Sequence, residues 1–172
     1  MINPKMEAAL NQQINEEFYS SYLYLSMAAH FEKASLTGFS NWMKIQSQEE
    51  HLHAMKFYTY LLQKGGKVVL QKIEQPKSEW TSVVEAFEDT YAHEQKITAC
   101  IDNLVNLALE VRDHATNAFL QWFVNEQVEE ESNVTKILDD LKLVADNKTG
   151  LFMVDREMAQ RVTAPAEPTP AT

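Results

Sequence analysis

The chain has 172 residues, 45% of them hydrophobic, and a formal net charge of -10. That length suits one domain with a substantial core, and the acidic balance argues against nucleic acid or an anionic membrane as the main partner, because either would repel most of the surface. No apolar run reaches the roughly 18 residues of a membrane span, and the N-terminal MINPKMEAAL has neither the basic start nor the apolar stretch of a secretory signal.

Four glycines and five prolines leave long uninterrupted pieces, so the sequence reads as all-α. The first helix is expected to begin at Asn3-Pro4, a cap residue followed by proline at the first helical position, and to run to about Lys33. The second spans about Thr37 to Lys64 and stops at Gly65-Gly66. A third starts near Thr81 or Ser82 and continues to about Val111. Asp113 is placed to cap a fourth, which reaches about Ala145. A short fifth helix is expected after Gly150, from Leu151 to about Arg161. Residues 163–172 contain only Thr, Ala, Pro and Glu and are expected to be a disordered tail, leaving residues 1–162 as the folded unit.

Lengths then constrain topology. A helix of about 28 residues is roughly 42 Å long, so helices joined by the tight turns around Ser35 and Arg112 must be antiparallel. The connection from Gly65 to Trp80 is different: about 16 extended residues reach on the order of 50 Å, enough to traverse the bundle. Two hairpins joined by one long crossover result, an arrangement shared by ferritin-like four-helix bundles.

Alternating steps of three and four pick out each core stripe. The stripes run Leu10, Ile14, Glu17, Ser21, Tyr24, Ala28, Phe31 in the first helix and Phe39, Met43, Gln46, Glu50, His53, Phe57, Tyr60 in the second. The third gives Val83, Phe87, Thr90, Glu94, Ile97, Ile101, Leu104, Ala108, and the fourth Leu120, Phe123, Gln127, Glu130, Val134, Ile137, Leu141, Val144. Each is apolar at its ends and polar in the middle, so ionisable residues of four helices meet at one level. Buried charge must be paired, and Glu17, Glu50, Glu94 and Glu130 together balance two divalent cations, with His53 and Gln127 as neutral donors. Without metal, some of these carboxylates must protonate through raised pKa values. Glu50 and His53, three apart on one face, can hold the same ion, and carboxylates with one imidazole suit iron or manganese better than zinc.

Glu17 within NEEFYSSYLYLSMA, Glu50 and His53 within QSQEEHLHAMKFY, Glu94, the run NEQVEEE from Asn125 to Glu131, and GLFMVDRE near the end together resemble the ferritin family, specifically its non-haem bacterial members, from Met1 to about Arg161. The resemblance implies a homo-oligomeric cage of twenty-four subunits. It implies iron storage and detoxification by a ferroxidase that oxidises Fe(II) to Fe(III), with O2 or H2O2 as acceptor, at an intrasubunit di-iron centre, depositing a ferric oxyhydroxide mineral. On that alignment Glu17, Glu50 and His53 hold the first iron, and Glu50 bridges to a second held by Glu94 and Glu130 with Gln127 nearby. Related di-iron proteins carry a second Glu-x-x-His on the fourth helix. Here those positions read Gln127-x-x-Glu130, so the second iron is expected to be held more loosely. Glu49, Glu126 and Glu129, one position off the stripes, are candidates for a third iron site. Tyr24 matches a family tyrosine that donates an electron or hydrogen-bonds a ligand.

Other features carry plainer readings. His30, His51, His93 and His114 are expected at the surface. Haem is not expected, since His51 stands where haem-binding relatives place methionine. The single Cys100 cannot close an internal disulfide, and a reducing cytoplasm is the expected compartment. Asn117 and Leu120 occupy positions where animal ferritins line a threefold channel with acids, so acidic steering there is not expected, whereas Leu151, Phe152, Val154 and Met158 suit closure of a fourfold pore. Two other functions fit the same stripes: a di-iron oxygenase acting on an organic substrate, and a metal-free helical interaction protein.

Overall fold

In a computed structural model describing residues 2–144 and 146–163, the helices are α1 (Pro4–Lys33), α2 (Thr37–Gln63), α3 (Val83–Glu110), α4 (His114–Val144) and α5 (Lys148–Met158). Asn3 caps α1 by accepting from the Lys5 amide at 2.9 Å, Ser82 caps α3 through the Glu85 amide at 3.0 Å, and Asp113 accepts from the Thr116 amide at 3.1 Å to start α4. The fifth helix corrects the sequence expectation. It begins at Lys148, with Gly150 inside its first turn, because the Asn147 side chain accepts from the amides of Thr149 and Gly150. The composition of 163–172 predicted a tail, of which all but Thr163 lies outside the described residues.

Three helix ends turn by one device. Ser35, Gly65 and Arg112 take positive φ, and the next residue's amide returns to a carbonyl five residues back: Leu36 to Phe31, Gly66 to Leu61, and Asp113 to Ala108. These caps reverse the chain at Ser35 and Arg112, so α1 packs against α2 and α3 against α4, while α1 and α3 join the two hairpins. The crossover follows α1. Asn11 pins it by donating to the Lys67 carbonyl at 2.9 Å and accepting from the Val69 amide, Ser26 holds the Lys77 carbonyl at 2.8 Å, and Trp80 sits edge-on to His30.

The core is divided along the bundle. One apolar cluster contains Met27, Phe31, Phe39, Phe87 and Leu138; the other contains Leu10, Phe57, Leu61, Ile101 and Phe123. Between them lies a buried polar belt that includes Glu17, Gln46, Glu50, His53, Glu94, Gln127 and Glu130. No described helix is long and apolar enough to cross a membrane.

The fifth helix is tied to the start of α2, which has no side-chain cap of its own. Asp155 Oδ1 accepts from the Gly38 and Phe39 amides at 2.9 and 3.0 Å, supplying that cap from across the fold. A Cβ on Gly38 would stand 1.6 Å from the Asp155 carbonyl oxygen, a backbone atom that cannot swing aside. Gly38→Ala is therefore expected to undock α5, with a loss of about 2–4 kcal/mol and a lower thermal midpoint. A midpoint unchanged from the parent would contradict this role for the glycine.

Candidate metal centre

The helical period turns the middle of each stripe into the belt, and the antiparallel hairpins bring those residues to one level. Among the described residues, ligand atoms of Glu17, Glu50 and His53 lie within 4.8 Å of one another, all three side chains being buried. Glu50 Oε2 is 3.2 Å from His53 Nδ1, the contact that i and i+3 spacing allows. Trp122 and Phe123 meet the imidazole edge-on at 5.4 and 5.9 Å and fix its plane. Gln13 donates to Glu17 Oε1 at 2.9 Å, which leaves Glu17 Oε2 buried without a hydrogen-bond partner. An orphaned carboxylate oxygen is costly, and a bound cation supplies what it lacks.

The other half of the centre is held through amides and a phenol. Tyr24 donates its hydroxyl to Glu94 Oε1, and Gln127 Nε2 lies 3.1 Å from Glu94 Oε2 and 3.2 Å from the Glu94 carbonyl. Gln46 links the halves: its Nε2 donates to Glu50 Oε1 at 3.2 Å and to Glu130 Oε2 at 2.8 Å. Glu50 is thus the carboxylate shared between the His53 side and the Glu130 side.

Electrostatics separate the carboxyls into two kinds. Burial, reinforced by the Glu50 charge, pushes Glu17 and Glu130 up to about 8, and burial with Glu50 and Glu130 nearby raises Glu94 well above the ordinary range. Burial also opposes charge on Glu50, but the His53 contact, together with Glu17 and His93, outweighs it and holds Glu50 below the usual value. For His53, burial is overcome by Glu126 and Glu50, so its pKa rises well above 6.5. Near neutral pH the metal-free centre is therefore an ionised Glu50–His53 pair surrounded by neutral carboxyls. His53, a neutral donor in the sequence reading, carries a proton until a cation displaces it.

The candidates for a third site have separate partners. Glu126 Oε1 is 3.7 Å from His53 Nε2, Glu129 is exposed, and Glu49 is paired with the Arg161 guanidinium. His93 corrects the surface expectation. It is buried, 2.8 Å from Ser20 Oγ, and its ring lies edge-on to Tyr24 at 5.9 Å, while burial drives its pKa down to about 4. Its place directly before Glu94 was the available signal, since neighbours of a core position on a tightly packed helix are often half-covered. Gln46 stood on the predicted stripe but without a role; its spacing of four from Glu50 was the clue.

A sequence profile for the ferritin-like domain matches residues 7–144. The chain belongs to the ferritin family. This ferritin is 41% identical over 161 residues to the bacterial non-heme ferritin of Bacteroides fragilis, covering 94% of this chain and 100% of that one. It is 38% identical to the bacterial non-heme ferritin of Staphylococcus epidermidis, covering 94% and 97% of the two chains. A closed form of the Archaeoglobus fulgidus ferritin, engineered by site-directed mutagenesis, superposes with a TM-score of 0.94 at 47% identity, over 95% of this chain and all of that one. The open-pore ferritin of the same archaeon gives 0.93 at 48% identity, over 94% and 100%. The ferritin-like four-helix bundle expected from the stripes is thereby established.

Proposed function

We propose that this ferritin stores iron by oxidising Fe(II) to Fe(III) at the buried belt and passing the product to an internal ferric oxyhydroxide mineral. The observation that carries the reading is the unpartnered Glu17 oxygen within the Glu17, Glu50 and His53 cluster, the one buried side-chain oxygen among the described residues that the surrounding hydrogen bonds leave unmet. Fe(II) is the substrate. Glu17, Glu50 and His53 take one ion, and Glu50, Glu94 and Glu130, with Gln127, take the other. Two Fe(II) yield two electrons, which reduce O2 to H2O2 or H2O2 to two waters. The carboxylates favour the ferric product, and their protons leave as the metals enter.

Asymmetry between the halves favours transit over a permanent cofactor. One ion has the His53 imidazole and the other has the Glu130 carboxylate at the corresponding place, with Gln127 where the first has Glu50, so the second is held less tightly and its product moves on. Tyr24, bonded to Glu94, is positioned to supply an electron to the same centre. A third ion at Glu49, Glu126 and Glu129 has to compete with Arg161 for Glu49. The subunits assemble as a cage of twenty-four in the cytoplasm, and the mineral occupies its interior.

Aerobic addition of Fe(II) to the metal-free assembly tests the proposal. Rapid growth of ferric absorbance with many iron ions retained per subunit is expected. Oxidation no faster than in buffer overturns the enzyme reading, and turnover with little retained iron favours an oxygenase instead.

A further inference from the structure

Gln46 is fully buried, and an amide at that place can present either its NH2 or its oxygen to the carboxylates. What fixes the choice comes from the other end of the chain. Arg161 Nη1 donates to Gln46 Oε1 at 2.8 Å, which leaves Gln46 Nε2 to donate to Glu50 and Glu130. The guanidinium is itself held on several sides. Its Nη2 is paired with Glu49, its Nη1 also reaches the Trp42 carbonyl at 3.3 Å, and its central carbon lies 4.4 Å from the centre of the Trp42 ring. Asn41 Nδ2 donates to the Arg161 carbonyl at 3.1 Å, so the backbone is anchored as well as the side chain.

We infer that Arg161 is a positioning residue for the metal centre: a guanidinium accepts no hydrogen bond, and by donating to both Gln46 and Glu49 it locks the Gln46 amide so that its NH2 faces Glu50 and Glu130. Were the amide to turn over, its oxygen would face two carboxylates that bind the same cations, and their spacing would no longer be held. The planar fork is what makes the residue suited to this. A lysine ammonium is a point charge that goes to the carboxylate of Glu49 and leaves the neutral Gln46 oxygen unheld. The inference rests on the proposed role of Glu50 and Glu130 as ligands.

Anaerobic titration with Co(II), followed through its visible absorption, tests the inference without turnover. It is made on full-length assemblies of parent, Arg161→Lys, Gln46→Met and the double variant, each matched for helical content and particle size. Arg161→Lys is expected to weaken binding by roughly tenfold, the scale of one lost charge-assisted hydrogen bond, and to change the Co(II) band shape. In the Gln46→Met background the same substitution is expected to have no further effect, because the residue through which Arg161 acts has gone. Unchanged affinity in Arg161→Lys, or equal losses in the two backgrounds, overturns the inference alone. A parent protein that binds no Co(II) overturns it together with the reading of the centre. If the lysine variant does not assemble, Arg161→Met, whose unbranched side chain still covers the Trp42 ring, takes its place with the same expected outcomes.

Discussion

Glu50→Ala is expected to remove the fast phase of Fe(II) oxidation, slowing it by on the order of a hundredfold or more. Removing even an outer partner of a metal ligand typically costs about 10- to 100-fold, and among the described residues Glu50 is the carboxylate that contacts both halves of the belt, through His53 on one side and Gln46 with Glu130 on the other. Its loss therefore affects both ions. Glu17→Ala and His53→Ala are expected to slow the same phase by less, since each touches one ion. Exposed Glu129→Ala is expected to leave it unchanged. Stability responds too. A buried pair that loses one member is destabilised by about 3–5 kcal/mol, an upper figure here because His53 retains Glu126 at 3.7 Å and can shed its proton. Stopped-flow absorbance at a fixed Fe(II) load measures the rate. A Glu50→Ala protein with parental fast-phase kinetics would show that the belt is not where oxidation occurs.

The second large effect concerns pH and has opposite signs with and without metal. Glu17 and Glu130 have folded-state values of about 8, above the ordinary 4.5, and Glu94 is raised as well. A raised carboxyl contributes stability that is complete below its unfolded value and is lost as pH climbs through the folded one. His53, raised above 6.5, acts in the same direction; Glu50, lowered, matters only on the acid side. The metal-free protein is therefore expected to lose stability steadily between about pH 4.5 and pH 8. Metal ions need these groups deprotonated, so affinity rises over the same interval and binding near pH 7 releases protons. Glu17→Gln isolates the trade. The amide has no charge to bury, so the metal-free variant should lose less of its thermal midpoint than the parent as pH rises, the remainder coming from Glu94, Glu130 and His53, while binding metal more weakly. Calorimetry in buffers of different ionisation enthalpy measures the proton release. Binding at pH 7 with no proton released would mean that the carboxyls are already ionised, contrary to their burial.

Much of this was legible before any tertiary contact was known. The caps at Asn3 and Ser82 and the stop at Gly65 mark helix ends because each satisfies backbone groups locally. The short joints at Ser35 and Arg112 force hairpins, and the long stretch before Trp80 has to cross the bundle. The midpoints Glu17, Glu50, Glu94 and Glu130 could be read because periodicity determines which face of a helix a residue occupies, and a charged residue on an apolar stripe stands out. The start of α5 was missed because Gly150 looks like a boundary, whereas Asn147 offers a stronger cap three residues earlier.

Sequence alone determined the helices, their pairing and the level at which the carboxylates meet, since all three follow from local hydrogen bonding and the helical repeat. Only the tertiary structure decided how that level is wired. Arg161 reaches Gln46 across 115 positions of sequence, Glu49 is drawn to the same guanidinium, and His93 is covered by α1 through Ser20 and Tyr24. The protonation of the belt was decided there too. Periodicity fixes the direction in which a side chain points along its own helix, but a pKa and a hydrogen-bond partner depend on which atoms of other helices lie within a few ångströms.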